Sequence, residues 1–568
     1  MASMNASMNG GEAVVATLRD EGITHVFGIV ASSILEIFNL LPLAGLEYIG
    51  VRHEQVAAHM ADGYARILRR PAVCLVQNGG GVTNLATGLG TALKAHSPVV
   101  AISGTPGTGE LDSDAFQEID QLTVMRPVTK WSARVPRSDR IAEYVRRAVS
   151  IARTPPMGPT FVEIPRNFLY EMNEVARLRP SEHAADGPVP PNQASLDVIT
   201  KAAGEAERPL IIAGGGVAWA DGVREVMRLA DRLRAPVATS YQHNDAADSK
   251  VVWSIGSLGR AGSKYAMECV KDSDCLIVLG SRLARFSVMP YWGVRYFPVK
   301  APIYQVDIDP ARIGSNWPVE SGVVADAREF ATSLTKQLPE GGGASRWSEE
   351  EVHAGRTKWR NEYLSWSDDS RKPLQMEHVF DVLSESLPTE SVIVTDVGAT
   401  PSYAFHRLDY PEGRSLVSPM LFGSLGFGLG AALGASVAAP GRPVVCLLGD
   451  GAFTMSLPAL ITAAEYELAS VFIVFDNACW GAEKVNQTYF NAGRYVGTLL
   501  DNPDLAVVAE SLGCNAFRVD DGPALADAVE TALASDGPSV IVVEVDPESL
   551  PEPARKDALA VAERGLFV

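Results

Sequence analysis

Gly449-Asp450-Gly451 is followed, after an intervening apolar stretch, by Asp476-Asn477, and this spacing can hold a divalent cation against a diphosphate. Cys446-Leu447-Leu448 is a short apolar run of the kind a buried parallel strand uses, and the spacing predicts that Gly449, Asp450 and Gly451 end it in a tight turn. A helix is expected over Leu457 to Glu467. The next apolar run, Val471 to Phe475, predicts the neighbouring parallel strand, so Asp450 and Asn477 leave adjacent carboxyl ends. Mg2+ takes oxygen ligands in an octahedron completed by phosphates and water, so Asp450, Asn477 and one main-chain carbonyl, that of Cys479, suffice as protein ligands. Gly449, Gly451, Ala452, Gly481 and Ala482 are small residues whose amides can meet phosphate oxygens. Gly-Asp-Gly alone is an ordinary strand-turn-helix; paired with Asp-Asn it is far more specific.

The pattern resembles the thiamine diphosphate (ThDP) enzymes of the acetolactate synthase and pyruvate oxidase type. That resemblance implies a glutamate in a different domain, hydrogen-bonded to the cofactor's aminopyrimidine ring, which promotes loss of the thiazolium proton. Glu54 stands at the matching position, in Val51-Arg52-His53-Glu54-Gln55, between a strand expected over Leu46 to Val51 and a helix that runs on to Ala61-Asp62-Gly63-Tyr64-Ala65-Arg66. A lone glutamate at a helix start is ordinarily there for the helix dipole; with the cation motif in the same chain, Glu54 is the expected catalytic acid–base group.

Ahead of the cation motif runs a glycine-rich stretch, Ser418 to Gly430, with glycines at 423, 426, 428 and 430. The resemblance implies that a large apolar side chain here wedges between the two cofactor rings and bends the coenzyme. Leu425 is the candidate, with Gly423 and Ser424 beside it; a glycine-rich helix packed tightly on a sheet fits the same residues. Upstream, Gly398, Ala399 and Thr400 follow another apolar strand and can offer amides to the diphosphate.

A chain of 568 residues exceeds one core, and alternating apolar strands and helices predict α/β architecture: three domains, each a mostly parallel sheet flanked by helices. The expected boundaries are 10–185, 193–338 and 376–568, for pyrimidine-binding, central and diphosphate-binding domains, with a polar linker over 179–192 and a Gly-rich one over 339–345. Gly214-Gly215-Gly216 after a strand is a weak dinucleotide signal, and Asp307 and Asp309 read as strand-end and turn residues. The composition, 46% hydrophobic and 21% charged, is that of a folded globular protein. A net charge of −19 argues against nucleic-acid or anionic-membrane partners. No apolar run is long enough for a membrane helix, and the first residues predict no signal peptide. Six cysteines without Cys-x-x-Cys spacing fit a reducing cytoplasm.

Within the superfamily the last two domains most resemble sulfoacetaldehyde acetyltransferases, through Tyr241 to Ala246, Gly262-Ser263-Lys264, Val306 to Gly314, Trp480 to Gln487 and the tail Pro553 to Leu559. This implies conversion of sulfoacetaldehyde and phosphate to acetyl phosphate and sulfite, by a homo-oligomer whose subunits share active sites. Sulfonate and phosphate are tetrahedral oxyanions suited to Lys, Arg, His and amide donors. Candidates are Lys94, His96, Lys130, Lys484 and Arg494, with Asn78 and Gln117 as neutral donors and Phe116 beside them. The first domain departs from that subgroup at Val30 to Ile34, and Asp112 to Glu118 resembles acetolactate synthases instead. A 2-oxo acid decarboxylase or acetolactate synthase-like carboligase is therefore the alternative.

Overall fold

The computed structural model describes residues 5–176, 187–341, 343–549 and 551; the 553–559 tail lies outside them. Three six-stranded parallel sheets carry the fold. The N-terminal sheet runs, edge to edge, Glu47–Gly50, His25–Gly28, Ala72–Val76, Val99–Thr105, Thr160–Pro165 and Trp131–Arg134. The C-terminal sheet runs Ser415–Val417, Val392–Thr395, Val444–Gly449, Ser470–Asp476, Ser539–Glu544 and Asn515–Val519. Counted along the chain, both have the order second, first, third, fourth, sixth, fifth. The central sheet instead runs Ser254–Ser257, Val237–Thr239, Pro209–Ala213, Cys275–Leu279, Ile303–Asp307 and Ser321–Val324, the order third, second, first, fourth, fifth, sixth.

The inner strands are apolar without alternation because helices cover both faces, and every residue of Val99–Thr105 is buried. In the C-terminal sheet the chain order reverses between Val392–Thr395 and Val444–Gly449. The crevice beyond the carboxyl ends of such strands is where open α/β sheets bind ligands. Residues 396–400 and 449–452 emerge there.

N- and C-terminal domains share one hydrophobic core. Helices Glu54–Leu68 and Phe427–Ala438 cross at glycines: a Cβ on Gly63 would lie 2.1 Å from the Ala431 carbonyl oxygen, and one on Gly434 would lie 1.9 Å from that of Met60. Gly430 faces Val56 and His59 in the same contact. Part of the glycine-rich run thus serves helix–helix packing, with Gly428 set against Asp396 and Cys446. The aromatic His59–Phe427 pair and a hydrogen bond from Arg66 to the Ser418 carbonyl (2.5 Å) extend the seam.

Candidate functional site

Strands Val444–Gly449 and Ser470–Asp476 pair in parallel with Gly449 opposite Phe475, so Asp450 and Asn477 begin at the same level of the sheet. The tight turn expected after the first strand is absent. Gly449 has φ −81° and the helix Asp450–Met455 starts at once, because the Asp450 carboxylate accepts the Gly451 amide (2.8 Å) and satisfies a free helix donor. The helix expected over Leu457 to Glu467 spans Pro458–Glu465.

Asp450 is 1% exposed. Its second carboxylate oxygen accepts from Asn502 Nδ2 at 2.7 Å, and the same amide donates to Asp476 at 3.0 Å. Burial pushes the Asp450 carboxyl up to about 7, with the facing Asp476 carboxylate raising it further and the Asn502 bond opposing. Two carboxylates held together in a poorly hydrated crevice suit a bound cation. Asn477 Oδ1 accepts the Cys479 amide at 3.3 Å, turning the loop, and Ala478 takes φ 50°. Among the described residues no three His, Cys, Asp or Glu side chains form a metal cage. A set of one carboxylate, one amide and one carbonyl does not require one.

Asn502 carries no motif spacing in the sequence; the fold delivers it. The segment before it lies along the Asp476 loop through Trp480 N–H to the Thr498 carbonyl and Leu500 N–H to the Ala478 carbonyl, both 2.8 Å. Gln487 pins the same segment at Val496. Asp396 is a second residue outside the predicted set. It is fully buried, ends strand Val392–Thr395, and accepts from the amides of Val397, Gly426 and Gly428 at 2.7, 3.1 and 2.6 Å. It thereby ties the 396–400 turn to the start of the glycine-rich helix. Burial raises its carboxyl to about 6 against those three donors.

A diphosphate needs room at the backbone, and a Cβ placed on Gly398, Gly423 or Gly449 would meet nothing within 4 Å. Gly398 and Gly423 also have φ of 121° and 68°, which favour glycine. Gly451 differs: its Cβ would strike the Trp480 ring at 2.3 Å, so glycine there lets the indole pack. Ala452 and Thr400 are buried, Thr400 opening the helix Thr400–Arg407, while Gly481 and Ala482 open the helix Gly481–Phe490. Ser424 shares a 2.7 Å hydroxyl bond with Thr91, and Phe422 fills the space left by Gly90, so the loop carrying Leu425 rests on the helix Gly80–Ala95.

Glu54 starts the helix Glu54–Leu68, capped by His53, and its carboxylate accepts from Asn84 Nδ2 at 2.9 Å while lying against Gly81. Asn78 is 3% exposed and donates to the Gln117 carbonyl (2.9 Å). Gln77 joins Asn78 and Gln117 at 2.6 Å each and accepts from Ser33. Around the start of helix Gly80–Ala95 the structure thus gathers Glu54, Asn84, Asn78 and Gln117, with Phe116 86% exposed beside them. Gln117 has φ 61°, and a Cβ on Gly79 would lie 2.6 Å from its carbonyl.

The basic candidates scatter. Lys130 donates to the carbonyls of Ile151 and Thr154, both at 2.7 Å, closing a helix end. Lys94 and His96 line a cavity of about 220 Å³ against the central domain, where burial lowers the His96 imidazole to about 4. In that cavity Gly214 and Gly216 press on the turn at Gly280 while His243 covers Gly215. Lys484 is 3% exposed, donates to Glu548 (2.6 Å) and the Pro547 carbonyl, and faces the Tyr495 ring. Arg494 is exposed.

Three thiamine pyrophosphate (TPP) enzyme domains match the chain: the N-terminal TPP-binding domain over residues 8–124, the central domain over 196–334 and the C-terminal TPP-binding domain over 396–543. A sulfoacetaldehyde acetyltransferase of Alcaligenes xylosoxydans xylosoxydans is 34% identical over 98% of this chain and 96% of its own length. A probable acetolactate synthase large subunit of Methanocaldococcus jannaschii is 33% identical over 96% and 93%. In fold, the crystal structure of benzoylformate decarboxylase from Polynucleobacter necessarius superposes with a TM-score of 0.83 over 96% of this chain and 100% of that one, at 24% identity.

Proposed function

The chain belongs to the thiamine pyrophosphate enzyme family, and from that premise we propose that it converts sulfoacetaldehyde and phosphate to acetyl phosphate and sulfite, using ThDP and Mg2+. One observation carries the cofactor assignment to these residues: Asp450 and Asp476 share the Asn502 amide beside open backbone at Gly398, Gly423 and Gly449. Asp450, Asn477 and the Cys479 carbonyl hold the cation, and the amides of 398–400 and 449–452 with 481–482 receive the diphosphate. When bound, the cofactor would supply a stabilised carbanion for chemistry at a carbonyl carbon.

Glu54 shares a proton with the pyrimidine ring, and Asn84 fixes its carboxylate through the 2.9 Å bond. Leu425, carried by the loop that Ser424 and Phe422 brace, would be the apolar side chain that packs against the cofactor. Asn78 and Gln117 line the substrate side as neutral donors, with the exposed Phe116 ring beside them. Lys484, buried beside the cation loop, contributes positive charge near the departing sulfite. His96 and Lys130 have the backbone carbonyls of Met157, Ile151 and Thr154 as partners and would reach an anionic substrate only by exchanging those bonds.

As the family resemblance implies, a second copy of the chain would complete the site by apposing its C-terminal crevice to Glu54, which is held by Asn84 of its own domain. The assembly is a homodimer or a pair of dimers in the cytoplasm; among the described residues no helix is long and apolar enough to cross a membrane. A carboligase or decarboxylase acting on a 2-oxo acid is the second reading, favoured by the Asp112 to Glu118 loop and by the Methanocaldococcus jannaschii relative. One assay separates them: with ThDP, Mg2+, phosphate and sulfoacetaldehyde the protein releases sulfite and acetyl phosphate in equal amounts. CO2 from pyruvate with no sulfite from sulfoacetaldehyde refutes the first reading.

A further inference from the structure

A second cavity, of about 350 Å³, lies where the central sheet, the helix Glu349–Leu364 and the segment following Thr400–Arg407 meet. Its size is that of small-ligand sites. Its charge runs against that of the chain as a whole, which is −19. Arg356, Arg360 and Lys250 line it against a single carboxylate, Asp409, already 3.0 Å from Lys250.

The two arginines differ in what they touch. Arg356 donates to the carbonyls of Ser249, Val251 and Val252 at 2.7, 2.7 and 3.1 Å, and among the described residues no carboxylate pairs with it. Its half-buried charge feels Asp409 and Asp248 without pairing directly with either, which leaves its guanidinium open to an anion. Arg360 has no hydrogen-bond or ion-pair partner among the described residues and reaches the rim.

The floor needs more than an anion. Thr239 Oγ1 and Asn244 Oδ1 are buried without a hydrogen-bond partner, in residues only 2% and 8% exposed, and Ser249 Oγ is likewise unpaired. Burying such groups unsatisfied costs free energy, so the cavity is built for something that reaches them. Asn244 Oδ1 is an acceptor and requires a donor, which a bare phosphate dianion lacks. Cations at the rim and unpaired hydroxyl and amide groups at the floor call for an oxyanion at one end and hydroxyls at the other.

We propose that this cavity is a binding site for a small hydroxyl-bearing phosphate monoester, of sugar-phosphate class, with its phosphate on Arg360 and Lys250 and its hydroxyls on Thr239, Asn244 and Ser249. The site is distinct from the ThDP crevice and independent of the reaction proposed above. It is nevertheless joined to it. Asn244 Nδ2 donates to the Phe405 carbonyl at 2.8 Å, and Phe405 lies in the helix Thr400–Arg407, whose first residue belongs to the turn offered to the diphosphate. From the other side Arg260 donates to the Gly398 carbonyl at 3.3 Å. A ligand that orders Asn244 thus biases the turn, and cofactor and ester change each other's affinity by the same factor.

Titration calorimetry on the full chain, loaded with ThDP and Mg2+, tests this with glycerol 3-phosphate as probe and with glycerol and inorganic phosphate in separate arms. The ester is expected to bind saturably, and Arg360→Glu and Thr239→Val each to weaken it about tenfold or more. Arg360 is exposed, so its variant keeps the fold. Saturating ester should also shift the ThDP dissociation constant of the wild type and not that of Arg360→Glu. No binding of the ester, or binding by both cavity variants as tight as that of the wild type, overturns the site. Inorganic phosphate binding as tightly as the ester, in a manner that Arg360→Glu abolishes, overturns the requirement for hydroxyls. A ThDP constant that ignores the ester overturns the coupling.

Discussion

Asp450→Asn separates the charge of the proposed cation centre from its shape. In the apo-protein the Asp450 carboxyl stands at about 7 against a reference of 3.8, chiefly through burial. A carboxyl raised on folding contributes stability below its unfolded value and loses it as pH rises through its folded value. The apo-protein should therefore weaken between about pH 4 and pH 7. At about 1.4 kcal/mol per tenfold, the displacement amounts to roughly 4 kcal/mol, and sharing with Asp476 reduces what one substitution recovers to about 2–3 kcal/mol. Asparagine keeps the size and one acceptor oxygen while removing the charge. In EDTA at pH 8 the variant's C-terminal domain should melt about 5 °C or more above wild type, the gain vanishing near pH 4. With Mg2+ and ThDP the order should invert, because the wild type gains ligand-linked stability and the variant does not. The assay is differential scanning calorimetry across pH with and without ligands. A variant less stable than wild type in EDTA at pH 8, or equally stabilised by Mg2+ and ThDP, refutes the assignment of Asp450 as a buried carboxylate awaiting a cation.

Other expectations follow from the same geometry. Glu54→Gln should cut kcat by about 10²–10⁴ while changing the ThDP dissociation constant little, as read by steady-state kinetics and fluorescence titration. Asn502→Ala removes both amide bonds to Asp450 and Asp476 and should weaken Mg2+ binding about 10–100-fold in calorimetry. Gly63→Ala drives a methyl group into the Ala431 carbonyl oxygen; a loss of about 1–3 kcal/mol, seen as a lower melting temperature in EDTA, is expected from overpacking. Lys484→Met strands Glu548 at the surface but takes a buried cation from beside the cation loop. A higher KM for sulfoacetaldehyde with unchanged Mg2+ affinity is the expected outcome.

The α/β architecture was legible because buried parallel strands leave unmistakable apolar runs, such as Val471 to Phe475 inside Ser470–Asp476. The family was legible for a different reason: Asp450, Asn477 and the neighbouring glycines, which we propose to hold the cation and the diphosphate, lie in one local segment. What the sequence hid depends on contacts between distant segments. Asn502 reaches Asp450 only because an irregular stretch folds back along the Asp476 loop, and no periodicity marks that path. Gly63 and Gly434 carry no mark in the sequence and Gly430 is one of a glycine run open to several readings, whereas the helix pair requires all three for close approach. Lys130 illustrates the converse: a lysine attractive for an anion spends its ammonium on two carbonyls at the end of a helix. The short helix Asp450–Met455 stands where a tight turn was expected, because the Asp450 carboxylate takes up the Gly451 amide inside the first turn.

The most direct test of the account is a crystal or cryo-electron-microscopy structure of the protein with ThDP and Mg2+. It should show the cation on Asp450, Asn477 and the Cys479 carbonyl, the diphosphate against Gly398 and Gly449, and the Glu54 carboxylate of a second subunit at hydrogen-bonding distance from the pyrimidine ring. A diphosphate bound away from Asp450, or a pyrimidine ring with no Glu54 beside it, contradicts the account.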